Sequence, residues 1–165
     1  MTSASDYLRE EFFLDETNED QETNSIKDVL VDADVLVALA KTNDSNHKKA
    51  LKLTGKLQEI GVTYYFSPFT VAEAVTVLSY KTTHLAAKKF LKQIRKLNIP
   101  IFELQEEYRE LPDKWFLKQD KKGTSYFDCY NMALMERYKN QLVAIFSFDQ
   151  VYKKNGFGLV EDLKL

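Results

Sequence analysis

Apolar residues in this chain fall into two kinds of pattern. Val29-Leu30-Val31 and Leu142–Phe146 are unbroken apolar runs. Such runs suit strands covered on both faces, as in a parallel sheet. Thr63–Phe66, β-branched and aromatic, is a third strand, and Pro100-Ile101-Phe102 begins a short fourth. Between these runs the pattern turns helical. Asp34–Ala40 reads as a short helix. Asp44 or Ser45 is placed to cap a second helix that reaches Ile60 and is stopped by Gly61. Ser67-Pro68, a capping residue followed by proline, predicts the start of a helix running to about Tyr80. A basic helix is expected over roughly Thr83–Leu97, and residues 105–121 read as largely helical with a break near Pro112. Ser125 is placed to cap a helix through Tyr138. Strands alternating with helices predict an α/β fold with a mainly parallel sheet.

Length and charge add a division. The 165 residues suit one domain with room for a tail. Residues 1–28 carry nine acids and two bases, whereas residues 29–165 carry 16 acids and 21 bases. The split predicts an acidic N-terminal extension, 1–25, on a mildly basic body, 26–165. Within the extension Asp6–Leu14 reads as a short helix, and Thr17–Ser25, with no apolar residue, as a linker. The single cysteine, Cys129, rules out an internal disulfide and a Cys-rich zinc site. MTSASDYLREEFF lacks the basic start and apolar run of a signal peptide. No apolar stretch approaches the roughly 20 residues of a membrane span. A soluble protein of the cytoplasm, with no membrane partner, is the expectation.

The candidate chemistry lies where strands end. Ligands of open α/β sheets bind outside the carboxyl ends of the strands. Val29–Val31 runs into Asp32, and Leu142–Phe146 runs toward Asp149. Glu73 and Asp128 sit in otherwise apolar helical stretches. A buried, unpaired carboxylate is costly, and bases are scarce beside these four. Converging carboxylates without bases point to a hard divalent cation such as Mg²⁺ or Mn²⁺. Each acid also has a plainer explanation: Asp128 as a first-turn helix acid, Glu73 on a polar edge, Asp149 capping a turn, and neighbouring Asp34 as a helix N-cap. The four acids in this order and context outweigh those separate explanations.

Four segments carry a family resemblance. Val29-Leu30-Val31-Asp32-Ala33-Asp34-Val35-Leu36, Ser67-Pro68-Phe69-Thr70-Val71-Ala72-Glu73, Ser125-Tyr126-Phe127-Asp128 and Ile145-Phe146-Ser147-Phe148-Asp149 resemble the four acidic motifs of the PIN domain. The nearest class is the single-domain bacterial and archaeal PIN proteins, such as the VapC-type toxins of toxin–antitoxin pairs. The resemblance runs from about residue 28 to 160. It implies a three-layer α/β/α sandwich and a metal-dependent ribonuclease that hydrolyses RNA phosphodiester bonds. It also implies that Asp32, Glu73, Asp128 and Asp149 are the catalytic, metal-binding quartet, with Asp34 and Ser147 as secondary site members. A protein antitoxin and a homodimer are partners of that class. Gln150 departs from the pattern, because the family often has another acid just after its last motif.

The bases offer candidate contacts for a polyanion. Lys48, Lys49, Lys52 and Lys56 recur on one predicted helix, and Lys88, Lys89, Lys92, Arg95 and Lys96 on another. Lys114, Lys118, Lys121 and Lys122 form a third group. Tyr64, Tyr65, Tyr126 and Tyr130 are candidates for stacking single-stranded bases. His47 and His84 lie outside the motifs and are expected on the surface. Asp32-Ala33-Asp34 after a strand also fits a haloacid dehalogenase-type phosphatase, but the threonine and later acidic pair of that family are missing. The alternative from a different class is a catalytically silent PIN-fold module that binds RNA or protein, since fold alone does not guarantee catalysis. The acidic, aromatic segment Asp6–Glu16 is expected to fold back over the basic surface and compete with RNA.

Overall fold

A computed structural model describes residues 28–165. The expected helix over Asp6–Leu14, the 1–25 extension and its fold-back lie outside the described residues. Three parallel strands form the centre in the order β2-β1-β3: β1 (Asp28–Val31), β2 (Thr63–Phe66) and β3 (Leu142–Phe146). The fourth strand expected at Pro100–Phe102 is reduced to a single parallel bridge between Phe66 and Ile101. Phe66 N–H donates to the Pro100 carbonyl and Phe102 N–H to the Phe66 carbonyl, so this segment still covers the edge of β2. Proline lacks the N–H that would extend the ladder.

Alternate residues of β1 feed two separate cores. Val29 and Val31 face a cluster with α1 (Ala33–Ala40), α2 (His47–Glu59), α3 (Thr70–Lys81) and α4 (His84–Lys96). Leu30 faces the other side, with Met132 and Leu134 of α6 (Tyr126–Arg137) and Tyr152 of α7 (Val151–Lys154). Trp115 of the short α5 (Leu111–Leu117) packs against that second cluster. The result is a sheet covered on both faces, the three-layer α/β/α sandwich. β3 contains one irregularity: Leu142 pairs with Asp28 but Ala144 pairs with Val29, which leaves Val143 as an extra, exposed residue. The bulge turns Leu142 to the same side as Ile145, and both join the second core.

Several helix starts differ from the sequence pattern. Asp32, not Asp34, caps α1, its carboxylate accepting the Ala33 N–H. α2 starts at His47, because Asp44 spends its side chain on the Asn46 N–H in a tight turn. α3 starts at Thr70 rather than after Ser67, since the Ser67 and Thr70 hydroxyls bond each other across a turn that precedes the helix. α6 begins as expected, with a reciprocal capping box between Ser125 and Asp128. His47 corrects the surface expectation: it is buried, and its Nδ1 lies 2.7 Å from the Ala38 carbonyl, tying α2 to α1. Among the described residues, no helix is long and apolar enough to cross a membrane.

Candidate active site

The carboxyl ends of the strands place Asp32 at the centre of an acidic cluster. Its N–H continues the sheet ladder by donating to the Phe146 carbonyl at 2.9 Å, which fixes the residue against β3. Its carboxylate is 6% exposed and accepts four hydrogen bonds. Oδ1 accepts from Ala33 N–H at 2.8 Å and Asn131 Nδ2 at 3.2 Å. Oδ2 accepts from Ser147 Oγ at 2.8 Å and Tyr152 Oη at 3.0 Å.

Two hydroxyls link this carboxylate to its neighbours. Tyr152 Oη also lies 3.2 Å from Asp128 Oδ1, so one phenol proton is shared between Asp32 and Asp128. Ser147 Oγ also lies 3.1 Å from Asp34 Oδ2, so it stands in the same way between Asp32 and Asp34. Phe148 N–H donates to the same Asp34 oxygen at 2.8 Å. Asp128 keeps its other oxygen on the Ser125 N–H at 2.7 Å, the capping bond of α6. Helix capping thus aims Asp128 as well as starting the helix.

Glu73 approaches from the other layer. It lies in the first turn of α3, whose start is held to β1 by Thr70 Oγ donating to the Val31 carbonyl at 3.3 Å. The Phe69 ring packs against Phe127 and Tyr130 of α6, with centroids 5.3 and 4.9 Å away. This aromatic contact closes α3 onto α6 and sets Glu73 within electrostatic reach of Asp32 and Asp128.

The charges oppose one another. Burial first, then Asp128, raises the Asp32 pKa to about 6. Burial and the Glu73 neighbours Asp32 and Asp128 raise Glu73 to about 7. Burial and Asp32 raise Asp34 to about 8. Burial also lifts the Tyr152 phenol well above its ordinary value, so it stays protonated and donating. Cys129, fully buried beside Asp128, is pushed to about 11, mainly by burial. Within this cluster, the buried oxygens Asp34 Oδ1 and Asn131 Oδ1 accept no hydrogen bond.

The Asp149 carboxylate makes no hydrogen bond to Asp32, Asp34, Glu73 or Asp128. The residue is exposed, and its carboxylate accepts the Val151 N–H at 2.8 Å, shaping the turn into α7. It remains tied to the centre only through its own N–H, which donates to Ser147 Oγ at 3.1 Å. Among the described residues, no three or more His, Cys, Asp or Glu side chains are arranged to hold a metal ion as they stand. The bridging hydroxyls of Tyr152 and Ser147 stand between the carboxylates. Of the two secondary members expected from the sequence, Ser147 bonds directly to Asp32, and Asp34 is joined to it through the Ser147 hydroxyl.

Tyr152 and Asn131 escaped the sequence reading. Both resemble ordinary polar residues, and their contacts to Asp32 span 120 and 99 positions of chain. The one available signal was helical phase, since Asn131 follows Asp128 by one turn on the same face of α6. Among the stacking candidates, Tyr64 is buried in the first core, Tyr65 packs on Phe102, and Tyr130 Oη accepts the Leu104 N–H. Tyr126 alone of the four keeps an exposed ring, at 42%.

The sequence profile of the PIN domain matches residues 29–158. Among solved structures, the chain is similar to VapC20 of Mycobacterium tuberculosis, described as a Sarcin-Ricin loop cleaving toxin. The TM-score is 0.66 at 22% identity, covering 78% of this chain and 95% of that one. No curated protein matches the chain.

Proposed function

The chain belongs to the PIN domain family, and from that premise we propose that it is a Mg²⁺- or Mn²⁺-dependent endoribonuclease. The observation that carries this reading is the convergence of Asp34, Glu73 and Asp128 on the buried Asp32, where burial first and repulsion between the acids second raise Asp32, Glu73 and Asp34 to about 6, 7 and 8. The all-oxygen donor set and the unpartnered Asp34 Oδ1 suit a hard divalent cation. Asp32, Glu73 and Asp128 would hold it, with Asp149 completing the quartet from the rim. Bound there, the cation supplies Lewis-acid polarisation of the scissile phosphate and offsets the repulsion between an acidic site and a phosphodiester.

The chain's own residues do the positioning. Ser147, Tyr152, Asn131 and the Ala33 N–H hold the Asp32 carboxylate in one orientation. Such outer partners raise ligand precision, and their loss typically costs about 10–100-fold in metal affinity or activity. Tyr152 and Ser147 keep their protons, so both release a carboxylate oxygen by rotating a hydroxyl rather than by titrating.

The finer reading is the toxin of a toxin–antitoxin pair, acting in the cytoplasm on RNA. The family membership and the VapC20-like fold support it. A protein antitoxin and a second copy of the chain are the partners that reading carries. The deciding experiment is cleavage of a mixed pool of structured and single-stranded RNAs in Mg²⁺ or Mn²⁺. Wild type is compared with Asp32→Asn and Asp128→Asn, and with wild type in EDTA. Metal-dependent cleavage that both substitutions abolish is the expected result. Cleavage retained in both variants assigns the activity to something other than this site. No cleavage by any form favours the catalytically silent binding module.

A further inference from the structure

Beside the acidic cluster lies a cavity of opposite character. Its volume is about 460 Å³, and Lys118, Lys121, Lys122 and Lys154 line it, with Asp120 and Asp149 as its acids. One wall is the segment 118–124, and the other is α7 with the turns at its ends. The walls are braced by amides. Gln119 Nε2 donates to Asn155 Oδ1 at 3.1 Å and to the Trp115 carbonyl at 3.0 Å. Lys118 Nζ sits 4.3 Å from the centre of the Trp115 ring. Gly123, at φ 113°, takes a backbone conformation that side-chain-bearing residues avoid, and it lets the segment turn back toward α6.

Both walls run directly into the cluster. Thr124 of the first wall precedes Ser125, whose N–H holds the Asp128 carboxylate. Val151, Lys154 and Asn155 of the second flank Tyr152, whose hydroxyl touches Asp32 and Asp128. Asp149 lines the cavity and is joined to Asp32 through Ser147. The lysine groups differ in this respect. On α2, Lys49 pairs with Glu161, and Lys56 reaches the Leu165 carbonyl. The lysines of the cavity are exposed, as are Lys48 and Lys52 of α2, but it is Lys121 and Lys122 that lie on the segment leading to Asp128.

We propose that the cavity between residues 118–124 and α7 holds the phosphate backbone of the RNA strand on one side of the acidic cluster. This rests on the ribonuclease reading above. A strand that presents one phosphodiester to Asp32 and Asp128 carries its next phosphates past Asp149 into the lysine-lined cavity. There the lysines displace condensed counterions from the strand, so binding weakens as salt rises. The exposed Tyr126 ring, two residues past Thr124 of the cavity wall, offers a face for a base.

The test is the triple variant Lys121→Gln, Lys122→Gln, Lys154→Gln in the full-length protein. All three side chains are exposed, so the fold is not at stake. The charge-matched control is Lys81→Gln, Lys139→Gln, Lys164→Gln, away from the cavity. Fluorescence anisotropy of a labelled mixed-sequence 12-mer RNA in EDTA and in Ca²⁺ gives affinity against salt, and Mg²⁺ or Mn²⁺ assays give kcat and KM. Losing three contacts to a single strand is expected to flatten the log–log salt slope by about 2 and to raise KM on the order of tenfold, with kcat kept. The control is expected to match wild type. A triple variant with the wild-type slope and KM overturns the subsite while leaving the ribonuclease reading intact. A wild type that binds and cleaves no RNA overturns both. If the variant keeps RNA binding but loses affinity for a peptide of residues 1–25, the cavity serves an acidic protein segment and the RNA assignment is overturned.

Discussion

The two sides of α7 differ in how they hold charge. On one side Tyr152 reaches into buried carboxylates that repel one another. On the other, Lys154 opens into a cavity of solvent-exposed lysines. The buried charges are fixed by packing and hydrogen bonds, and water and salt screen them weakly. They therefore respond to protons and cations. The exposed charges are well screened, and they respond to ionic strength and to a polyanion that displaces counterions. A polyanion bound there would meet both regimes within a few residues of one short helix.

The largest effect that separates the two regimes comes from Asp32→Asn. Cleavage is expected to fall at least about a hundredfold at every salt concentration, because the loss lies in cation chemistry rather than in screened attraction. A deficit that shrinks or grows with salt would merge the two sides. Tyr152→Phe comes next. It removes the proton shared by Asp32 and Asp128, and leaves Asn131 Nδ2 with one acceptor fewer. Its expected cost is about 10–100-fold in cation affinity or activity. Isothermal titration with Mn²⁺ checks it, and an unchanged affinity would reduce Tyr152 to packing.

Asp149→Asn should be milder, on the order of tenfold in activity with Tm unchanged, because an exposed side chain is replaced by one that still accepts the Val151 N–H. A loss as large as that of Asp32→Asn would move Asp149 into the centre of the site. The smallest effect is on stability. Asp32, Glu73 and Asp34 hold protons in the folded state up to about pH 6, 7 and 8, above their unfolded values. The folded state therefore binds more protons than the unfolded chain between roughly pH 4 and 8, and its stability falls as pH rises through that window. In EDTA, Tm is expected to drop by several degrees from pH 5 to pH 8, about 3 °C for each kcal/mol lost. Mg²⁺ or Mn²⁺ should restore it at pH 8 and release protons on binding near pH 7. A Tm in EDTA that rises over the same range would contradict the burial and mutual repulsion that raise these pKa values.

What could be read from the sequence was what local pattern determines. The unbroken runs at Val29–Val31 and Leu142–Phe146 announce strands buried on both faces, and Ser125 with Asp128 three residues later announces a helix start. Asp32, Glu73 and Asp128 were recognisable as acids in apolar settings, and the structure brings them together. Other features depend on tertiary partners. His47 follows a polar turn, yet the Ala38 carbonyl one helix away draws it inside. Tyr152 is one of nine tyrosines, and nothing nearby in sequence marks it as the one that meets two carboxylates. Asp149 follows a strand as Asp32 does, but it lies three residues past β3 whereas Asp32 directly follows β1. Those extra residues carry it out to the rim, and Ser147 occupies the place nearer the centre.

Cys129 gives the buried cluster a built-in clock. It is the sole thiol of the chain, fully covered on the α6 turn that carries Asp128, and a pKa of about 11 keeps it out of the reactive thiolate form. An alkylating reagent therefore reaches it when α6 leaves the sheet, and the labelling rate times that opening. Because no second cysteine contributes, mass spectrometry of the intact protein counts openings around α6 alone, and the same measurement with Mn²⁺ added tests whether a cation slows them.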